Sequence, residues 1–281
     1  MSKITFSEDG HVYRKDGEVY TSVTTVLSKY KPKFEREHWA AYSAMKRLLP
    51  DFKGIKKKWE AAGGAINNPE IIPYMMDYID DLEKFEETIE IIKKEWLTEN
   101  KKAVQKGTVY HLAKEDHAYD RGFEINPFDG KKYKTFEKER IPGYNEAITE
   151  NLYDLEKGYY PELLIWNDNF KIAGQADKVF VKKGTKYKYV DIDDWKTNKK
   201  MSKRGFYYKN YGTVYMLPPI SHIESCNFNF YELQLSMYAY LLEQFGFRVR
   251  HLAIHHLNKK HDMQYRKAEI EAILAAEEGL L

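Results

Sequence analysis

The chain begins with alternating apolar and polar residues and then changes to a helical pattern. Residues 3–20 alternate around two Asp-Gly turn signals, which predicts a short β-meander. Ser22 stands just before a run of valine, threonine and leucine residues and is predicted to cap the first helix. From about 35 to 121, apolar residues recur with the spacing of helices. These patterns predict an N-terminal β-meander followed by a long helical segment.

The centre of the chain has a different pattern, with short runs rich in aromatic and β-branched residues. Three such runs are separated by turn signals and predict consecutive strands over Tyr159–Trp166, Lys171–Val181 and Tyr187–Trp195. The flanking patterns predict helices over 133–156 with a break at Pro142-Gly143, over 228–245 and over 266–278, and a strand over Arg248–Leu257. Together these elements predict an α/β fold with a mixed central β-sheet flanked by helices.

No linker rich in proline or serine divides the chain, so we predict one domain over residues 1–281. It has three parts: the N-terminal β-meander with the first helix (1–34), a helical extension (35–102) and a core (103–281). The aromatic content of 15% predicts a packed core rather than a disordered chain. The net charge of +2 does not by itself indicate a nucleic-acid partner, so any such binding must depend on local basic patches.

The cysteine content and the apolar runs limit the class of protein. A single cysteine, Cys226, excludes an internal disulfide and any zinc or iron–sulfur site built from four cysteines. No apolar run reaches the length of a membrane span, and the first residues do not form an apolar leader. We therefore expect a cytoplasmic protein without a membrane partner.

The third predicted strand carries four charged residues close together. Alternation places Asp194 and Lys196 on one face, directly after two apolar residues of that face, and an acid and a base there are costly unless they are paired or bind metal. Asp191 and Asp193 fall on the opposite face and are predicted to be solvated. The acid-x-Lys triplet alone is unspecific, since it occurs elsewhere in the chain and an ordinary surface ion pair also explains it.

The preceding predicted strand contains a further acid, Asp177. If the two strands pair through the turn that joins them, Asp177 lies near Asp194. Hard divalent ions such as Mg²⁺ prefer carboxylate oxygens, and a bound ion lowers the pKa of water and neutralises charge on a phosphate. Lys196 could orient that water or stabilise the developing charge. These are the ingredients of phosphodiester hydrolysis.

Four motifs in one order resemble those of the RecB-like nucleases of the PD-(D/E)XK superfamily. They are G-T-V-Y-H ending at His111, G-Q-A-D ending at Asp177, D-W-K-T around Lys196 and Q-L-S-M-Y beginning at Gln234. The resemblance covers about 103–245 and extends to phage-type exonucleases at the start of the chain. It implies a restriction-endonuclease-like core, Mg²⁺ or Mn²⁺ as cofactor and DNA as substrate, whereas the iron–sulfur cluster of some relatives is excluded here.

The resemblance also implies roles for individual residues. His111, Asp177 and Asp194 would bind the metal, and Lys196 would be the catalytic lysine. The remaining predicted catalytic residues are Glu162, which would reach the metal through water, and Gln234 and Tyr238, which would hold the lysine and the substrate strand. Immediately after Lys196, a basic loop is predicted to contact the phosphate backbone through Lys199, Lys200, Lys203 and Arg204.

Three interpretations of function stay open at this point. The first is an exonuclease for DNA recombination, repair or replication in a phage or mobile element, with a single-strand annealing or replication protein as a possible partner. The others are a structure-specific endonuclease and a catalytically silent DNA-binding module. Two further groups are given ordinary roles: Glu115 is predicted to be a helix-surface acid, and the histidines between 251 and 261 do not have the spacing of a zinc site.

Overall fold

A computed structural model describes residues 4–7, 10–137, 139–140, 146–149, 151–208 and 212–279. It has an α/β fold in which a mixed central sheet is flanked by helices, as predicted. The strands are β1 (Ile4–Ser7), β2 (Val12–Lys15), β3 (Glu18–Ser22), β4 (Phe123–Ile125), β5 (Lys132–Lys134), β6 (Glu139–Arg140), β7 (Glu146–Thr149), β8 (Gly158–Asn167), β9 (Ile172–Lys183), β10 (Lys188–Lys196), β11 (Tyr207–Tyr208), β12 (Gly212–Thr213), β13 (Phe247–His256) and β14 (Lys259–Met263). The helices are α1 (Val23–Ser28), α2 (Arg36–Leu48), α3 (Phe52–Ala61), α4 (Ile71–Met76), α5 (Leu82–Arg121), α6 (Asn227–Glu243) and α7 (Lys267–Glu277).

The central sheet runs in the order β14-β13-β10-β9-β3-β2-β1-β7-β6, and β8 pairs with the other side of β9. β10 is antiparallel to β9 and parallel to β13. β9 pairs in parallel with β3 at Ile172 and Ala173, and with β10 over residues 178–183. The strands β3 and β10 therefore lie on the same side of β9 and part between these two stretches. This gap in the ladder positions the candidate site.

The main hydrophobic core lies between the central sheet and the helices α1, α6 and α7. Val190 and Ile192 of β10 are fully buried there, because alternate residues of the strand point to this face. Ser22 caps α1 by accepting a hydrogen bond from the Thr25 N–H, which confirms the predicted cap. Among the described residues, no helix combines the length and the apolar character that crossing a membrane requires.

The helical extension has a hydrophobic cluster of its own, formed by α2, α3, α4 and the first half of α5. Helix α5 has 40 residues and is a single helix. It begins where Asp81 accepts a hydrogen bond from the Lys84 N–H and ends at Gly122, whose φ of +66° suits a glycine. Near its start Ile92 packs in the extension, and near its end Ala118 packs with aromatic residues of the sheet. One helix thus connects the extension with the core.

Two predictions outside the site were wrong or incomplete. The helix predicted over 133–156 is absent from the described part of that range, where β5, β6 and β7 lie instead; Pro142-Gly143 falls outside the described residues. The reason is the alternation around Tyr133, which is buried on Phe180 while its lysine neighbours are exposed. Strand β14 was missed because it is mainly polar and buries only Met263.

Candidate active site

Three potential metal ligands from three elements meet at the gap beside β9. His111 lies on α5, Glu162 on β8 and Asp177 on β9. The Nδ1 atom of His111 is 3.4 Å from Oε1 of Glu162 and 3.3 Å from Oδ2 of Asp177. One ligand atom from each of the three residues lies within 4.8 Å of the others. A nitrogen and two carboxylates at this separation fit a divalent cation.

The pairing of β8 with β9 explains why Glu162 reaches Asp177. Pro161 pairs with Lys178 and Leu163 with Ala176, so Glu162 lies directly across from Asp177. Glu162 has a φ of +48°, in the left-handed region that L-residues rarely adopt. Such a conformation costs of order 1–3 kcal/mol. The other described non-glycine residues with positive φ lie in turns, whereas Glu162 lies within the strand β8.

The lysine of the predicted triplet lies at the same gap and is held by two side chains, one of which is held in turn by a third. Lys196 Nζ is 2.5 Å from Oδ2 of Asp194 and donates a hydrogen bond of 3.2 Å to Oε1 of Gln234. The Gln234 amide in turn donates to the hydroxyl of Tyr238 at 3.2 Å. This chain from Tyr238 to Lys196 follows from the one-turn spacing of the two α6 residues.

A backbone hydrogen bond connects the two halves of the site. The N–H of Trp195 donates to Oδ2 of Asp177 at 2.7 Å, just beyond the last ladder pair between β9 and β10. Asp177 and Asp194 are both buried. The structure therefore brings together all six residues predicted to be catalytic, with His111, around one cavity.

Gly174 allows Tyr238 to take its place. A Cβ atom on Gly174 would lie 2.6 Å from Cε1 of Tyr238, closer than real Cβ contacts. The glycine of the G-Q-A-D motif is therefore needed for close packing against the tyrosine ring. Gly107 differs, because a Cβ there would make an ordinary 3.6 Å contact with the Thr197 hydroxyl.

Replacement of Gly174 by alanine is expected to displace Tyr238 and to destabilise the protein by about 1–3 kcal/mol through overpacking. The displaced ring also withdraws its hydroxyl from Gln234, so the hold on Lys196 weakens. Urea denaturation would measure the loss of stability. Gly107→Ala is the matched control, because its Cβ meets no such contact; an equal loss from both variants would contradict this packing argument.

Burial and neighbouring charges shift the pKa values of the residues in the site. Burial and the negative charge of Asp177 raise the pKa of Asp194 to about 7. Burial acts to lower the pKa of His111, but Asp177 and Glu162 outweigh it and raise the pKa to about 11. The negative charge of the carboxylates thus stabilises bound protons on His111 and Asp194. A divalent cation can supply the same positive charge when those protons leave. The donor set fits a hard cation.

Two openings lead to these residues. A cavity of about 290 Å³ is lined by the six residues predicted to be catalytic and also by His11, Tyr13 and Gln175. A groove of about 780 Å³ runs beside it between α5, α6 and the loop after β10. His111, Lys196 and Gln234 line both spaces, so the groove gives direct access to Lys196. His11 belongs to the opening segment that resembles phage-type exonucleases, but it was not predicted as a site residue, because a single histidine in a meander has no spacing that assigns it a role.

The site is assembled from four parts of the chain: α5, β8, the β9–β10 pair and α6. No protein-family model and no curated protein matches the chain. Its function is therefore inferred from what these side chains can do together.

The four basic residues predicted to bind DNA lie on the loop that follows Lys196. Lys199 lines the groove and is 3.3 Å from Glu99 of α5. Arg204 is 3.4 Å from Glu224, and Lys203 lies over the ring of Phe228. Lys200 is exposed as well. Exposed pairs of this kind are weak, so their cations stay accessible to a phosphate.

Asp191 and Asp193 were predicted to be solvated, and this is wrong. Both lie on the predicted face of β10, but both side chains are fully buried there. Asp193 is 3.2 Å from Lys178 Nζ and 3.0 Å from His255 Nε2. The β9–β10 register places Lys178 opposite Asp193, a cross-strand signal that the sequence offered.

Asp191 has a denser set of partners. Lys182 Nζ and His251 Nδ1 each lie 2.8 Å from its carboxylate, Arg250 Nε lies at 3.2 Å, and the Asn126 amide donates at 2.8 Å. Asn126 comes from the loop between β4 and β5, which packs near this face of the sheet. The histidines 251 and 255 thus serve as partners of buried acids.

Glu115 was predicted to be a helix-surface acid, and this is also wrong. Its side chain is buried and accepts a hydrogen bond of 2.8 Å from the hydroxyl of Tyr119. Together with His11, His111 and Glu162 it lines a third space, also of about 290 Å³, beside the cavity and the groove. The one-turn spacing correctly placed Glu115 on the same face of α5 as His111. The sequence of a helix does not show, however, whether other segments pack over a charged residue.

Proposed function

We propose that this protein is a divalent-metal-dependent deoxyribonuclease that hydrolyses phosphodiester bonds. The observation that carries the proposal is the meeting of Asp177 with the Asp194–Lys196 pair at the point where β9 and β10 part. His111 and Glu162 complete the group from outside these strands. The resemblance of the four motifs to RecB-like nucleases of the PD-(D/E)XK superfamily supports the same proposal.

His111, Glu162 and Asp177 would hold the metal, since their ligand atoms lie within 4.8 Å of one another. When bound, Mg²⁺ or Mn²⁺ lowers the pKa of a water molecule and neutralises negative charge on a phosphate. Asp194, which we predict as a further ligand, has its Oδ2 paired with Lys196. Asp194 and Asp177 line the same cavity.

Lys196 supplies a positive charge that the protein has already oriented. Asp194 and Gln234 hold its ammonium group, so little reorganisation is needed when a phosphate binds. The ammonium can donate a hydrogen bond to the attacking water or to a phosphate oxygen as negative charge develops there. Gln234 and Tyr238 act through this lysine, and Tyr238 is itself fixed by Gly174.

The finer part of the proposal concerns the substrate and the setting. We infer an exonuclease that acts on DNA ends in the cytoplasm of a bacterium or phage-infected cell, in recombination, repair or replication. A single-strand annealing or replication protein would be its partner. These points rest on the resemblance to phage-type exonucleases, whereas the chemistry rests on the cavity itself.

Incubation of the purified protein with linear and with closed-circular DNA tests the proposal. Linear DNA is expected to be degraded in Mg²⁺ or Mn²⁺ and to stay intact in EDTA, because the acids alone cannot neutralise a phosphate. Cleavage of the circles would show an endonuclease instead. Absence of cleavage of linear, circular and branched DNA in both metals would refute the enzyme and leave a DNA-binding module.

A further inference from the structure

We propose that the third space beside the site is a pocket for the last nucleoside of a DNA strand that ends in a hydroxyl group. We call it the terminal pocket. Besides His111 and Glu162, the described residues that line it are Phe6, His11, Thr108, Leu112, Glu115 and Gln175. The inference rests on the proposed function for the reaction, and it deepens that function by specifying the end of the substrate and the size of the product.

The terminal pocket, the cavity and the groove lie in a row. The cavity shares His11 and Gln175 with the terminal pocket, and it shares Lys196 and Gln234 with the groove. His111 lines all three spaces, so the candidate metal ligands lie between the groove on one side and the terminal pocket on the other. A strand that lies in the groove with one phosphate at the metal ligands therefore places its next nucleoside in the terminal pocket.

The two outer spaces differ in charge. Four lysines line the groove, and Glu99 is the one acid among its described lining residues; the lysines are Lys102, Lys106, Lys196 and Lys199. The described residues that line the terminal pocket include no lysine or arginine, but they include Glu115 and Glu162. Phosphates are attracted by lysines and repelled by carboxylates. The groove therefore suits the charged backbone of a strand, and the terminal pocket suits a part that carries no phosphate.

The size and the walls of the terminal pocket fit a nucleoside. Its volume is about 290 Å³, near the lower end of about 300 Å³ for small-molecule sites, whereas the groove has about 780 Å³. The exposed ring of His11 packs edge-on against Phe6, with ring centroids 4.9 Å apart and planes inclined by 82°. Leu112 adds apolar surface and Gln175 adds an amide. Rings and apolar side chains with few polar groups are the usual lining of sites for small organic molecules.

Hydrolysis at the metal ligands would then release one nucleoside unit at a time. A water oxygen forms a bond to phosphorus, the bond from phosphorus to the leaving sugar oxygen breaks, and that oxygen takes a proton, so each cleavage consumes one water molecule. The nucleoside in the terminal pocket ends in a hydroxyl group, because a terminal phosphate would have to lie beside Glu115. We therefore expect a strand with terminal hydroxyl groups to bind better than one with terminal phosphates.

Competition for DNA binding in Ca²⁺ measures this preference without requiring cleavage. The competitors are unlabelled oligothymidylates of about ten nucleotides with either hydroxyl or phosphate groups at both ends, and each displaces a labelled strand from the protein. We expect the phosphate-terminated competitor to bind about tenfold more weakly, since two unit charges about 10 Å apart near a protein surface change an affinity by about that factor. Equal affinity, or tighter binding of the phosphate-terminated competitor, would overturn the inference.

Two variants of α5 each place a cation in the terminal pocket. They are Thr108→Lys and Leu112→Lys, at positions one helical turn apart that both line it. In each variant the phosphate-terminated competitor should gain about fivefold or more relative to the hydroxyl-terminated one. Val109→Lys is the matched control, because Val109 is 60% exposed on the same helix and does not line the terminal pocket. An unchanged ratio of affinities in both lysine variants, or the same change in the control, would contradict the assigned site.

The first products of cleavage give an independent test and separate this inference from the proposed function. Mass spectrometry of linear, hydroxyl-terminated DNA treated in Mg²⁺ should show products of one nucleoside unit, and first products of several nucleotides would overturn the terminal pocket. A protein that cleaves DNA without either preference would refute the terminal pocket and leave the nuclease. A protein that prefers hydroxyl-terminated strands in Ca²⁺ but cleaves no DNA in Mg²⁺ or Mn²⁺ would refute the nuclease and support the terminal pocket.

Discussion

Replacement of Lys196 by methionine or alanine is expected to reduce DNA cleavage by about a thousandfold. The reason is that the ammonium group is a preoriented cation that would stabilise the developing negative charge, and loss of one such preorganised donor costs about 10²–10³ in rate. Methionine keeps most of the aliphatic stem, so an equal loss in both variants assigns the effect to charge rather than to packing. Single-turnover cleavage of linear DNA in Mg²⁺ measures the rate.

A measurement of DNA binding distinguishes a loss of catalysis in the Lys196 variants from a loss of the fold. DNA affinity in Ca²⁺ should change little in the Lys196 variants, because the predicted phosphate contacts lie on the following loop. Lys186→Ala is the matched control, since Lys186 is exposed in the turn at the other end of β10.

Asp177→Asn should also abolish cleavage, and the loss of Mn²⁺ binding is expected to be measurable by calorimetry. Residual activity equal to wild type in either the lysine or the aspartate variant would contradict the assignment.

Replacement of Asp191 by alanine is expected to destabilise the protein by about 1–3 kcal/mol. The change removes a buried acceptor and leaves the fully buried Asn126 amide without it, whereas Lys182 keeps its ion pair with Asp129. Urea denaturation followed by circular dichroism measures the loss. Asp116→Ala is the control, because Asp116 is exposed on α5 and its replacement should change the stability by less than about 0.5 kcal/mol.

The Asp191 carboxylate also makes the stability of the fold depend on pH. Burial acts to raise the pKa of Asp191, but Lys182, Asn126 and His251 outweigh it and lower the pKa. A group with a lowered folded-state pKa stabilises the fold fully above its unfolded-state pKa of about 4, and the contribution is lost as pH falls through the folded-state pKa. The loss of stability caused by Asp191→Ala should therefore shrink below about pH 4.

The strands around the site were predictable because their patterns are local. Runs of β-branched and aromatic residues gave β8, β9, β10 and β13 to within two residues at nearly all of their ends. Alternation alone placed Asp194 and Lys196 on the core face of β10. The 133–156 segment was wrong because its lysines obscured a period-two pattern around Tyr133. Local periodicity thus predicts the strands correctly wherever charged residues do not interrupt the pattern.

The position of candidate site residues could be predicted where the order of the motifs and the pairing of strands agree. The burial of a side chain could not be predicted where it depends on segments far away in the sequence. Asp177 and Lys196 fall on paired strands, so a hairpin was enough to bring them together. The burial of Asp191 depends on a loop from 65 residues earlier in the chain, at Asn126, which no pattern around β10 reveals. The left-handed conformation of Glu162 is likewise invisible in the sequence, because glutamate rarely adopts it.

The long helix α5 links the helical extension mechanically to the candidate active site. At 1.5 Å per residue, its 40 residues span roughly 60 Å, and Ile92 lies roughly 28 Å from His111 along the same axis. A tilt of this continuous helix at the Ile92 end would displace the His111 imidazole relative to the carboxylates on β8 and β9. Repacking of the helical extension would therefore alter the spacing of the three candidate metal ligands from a distance.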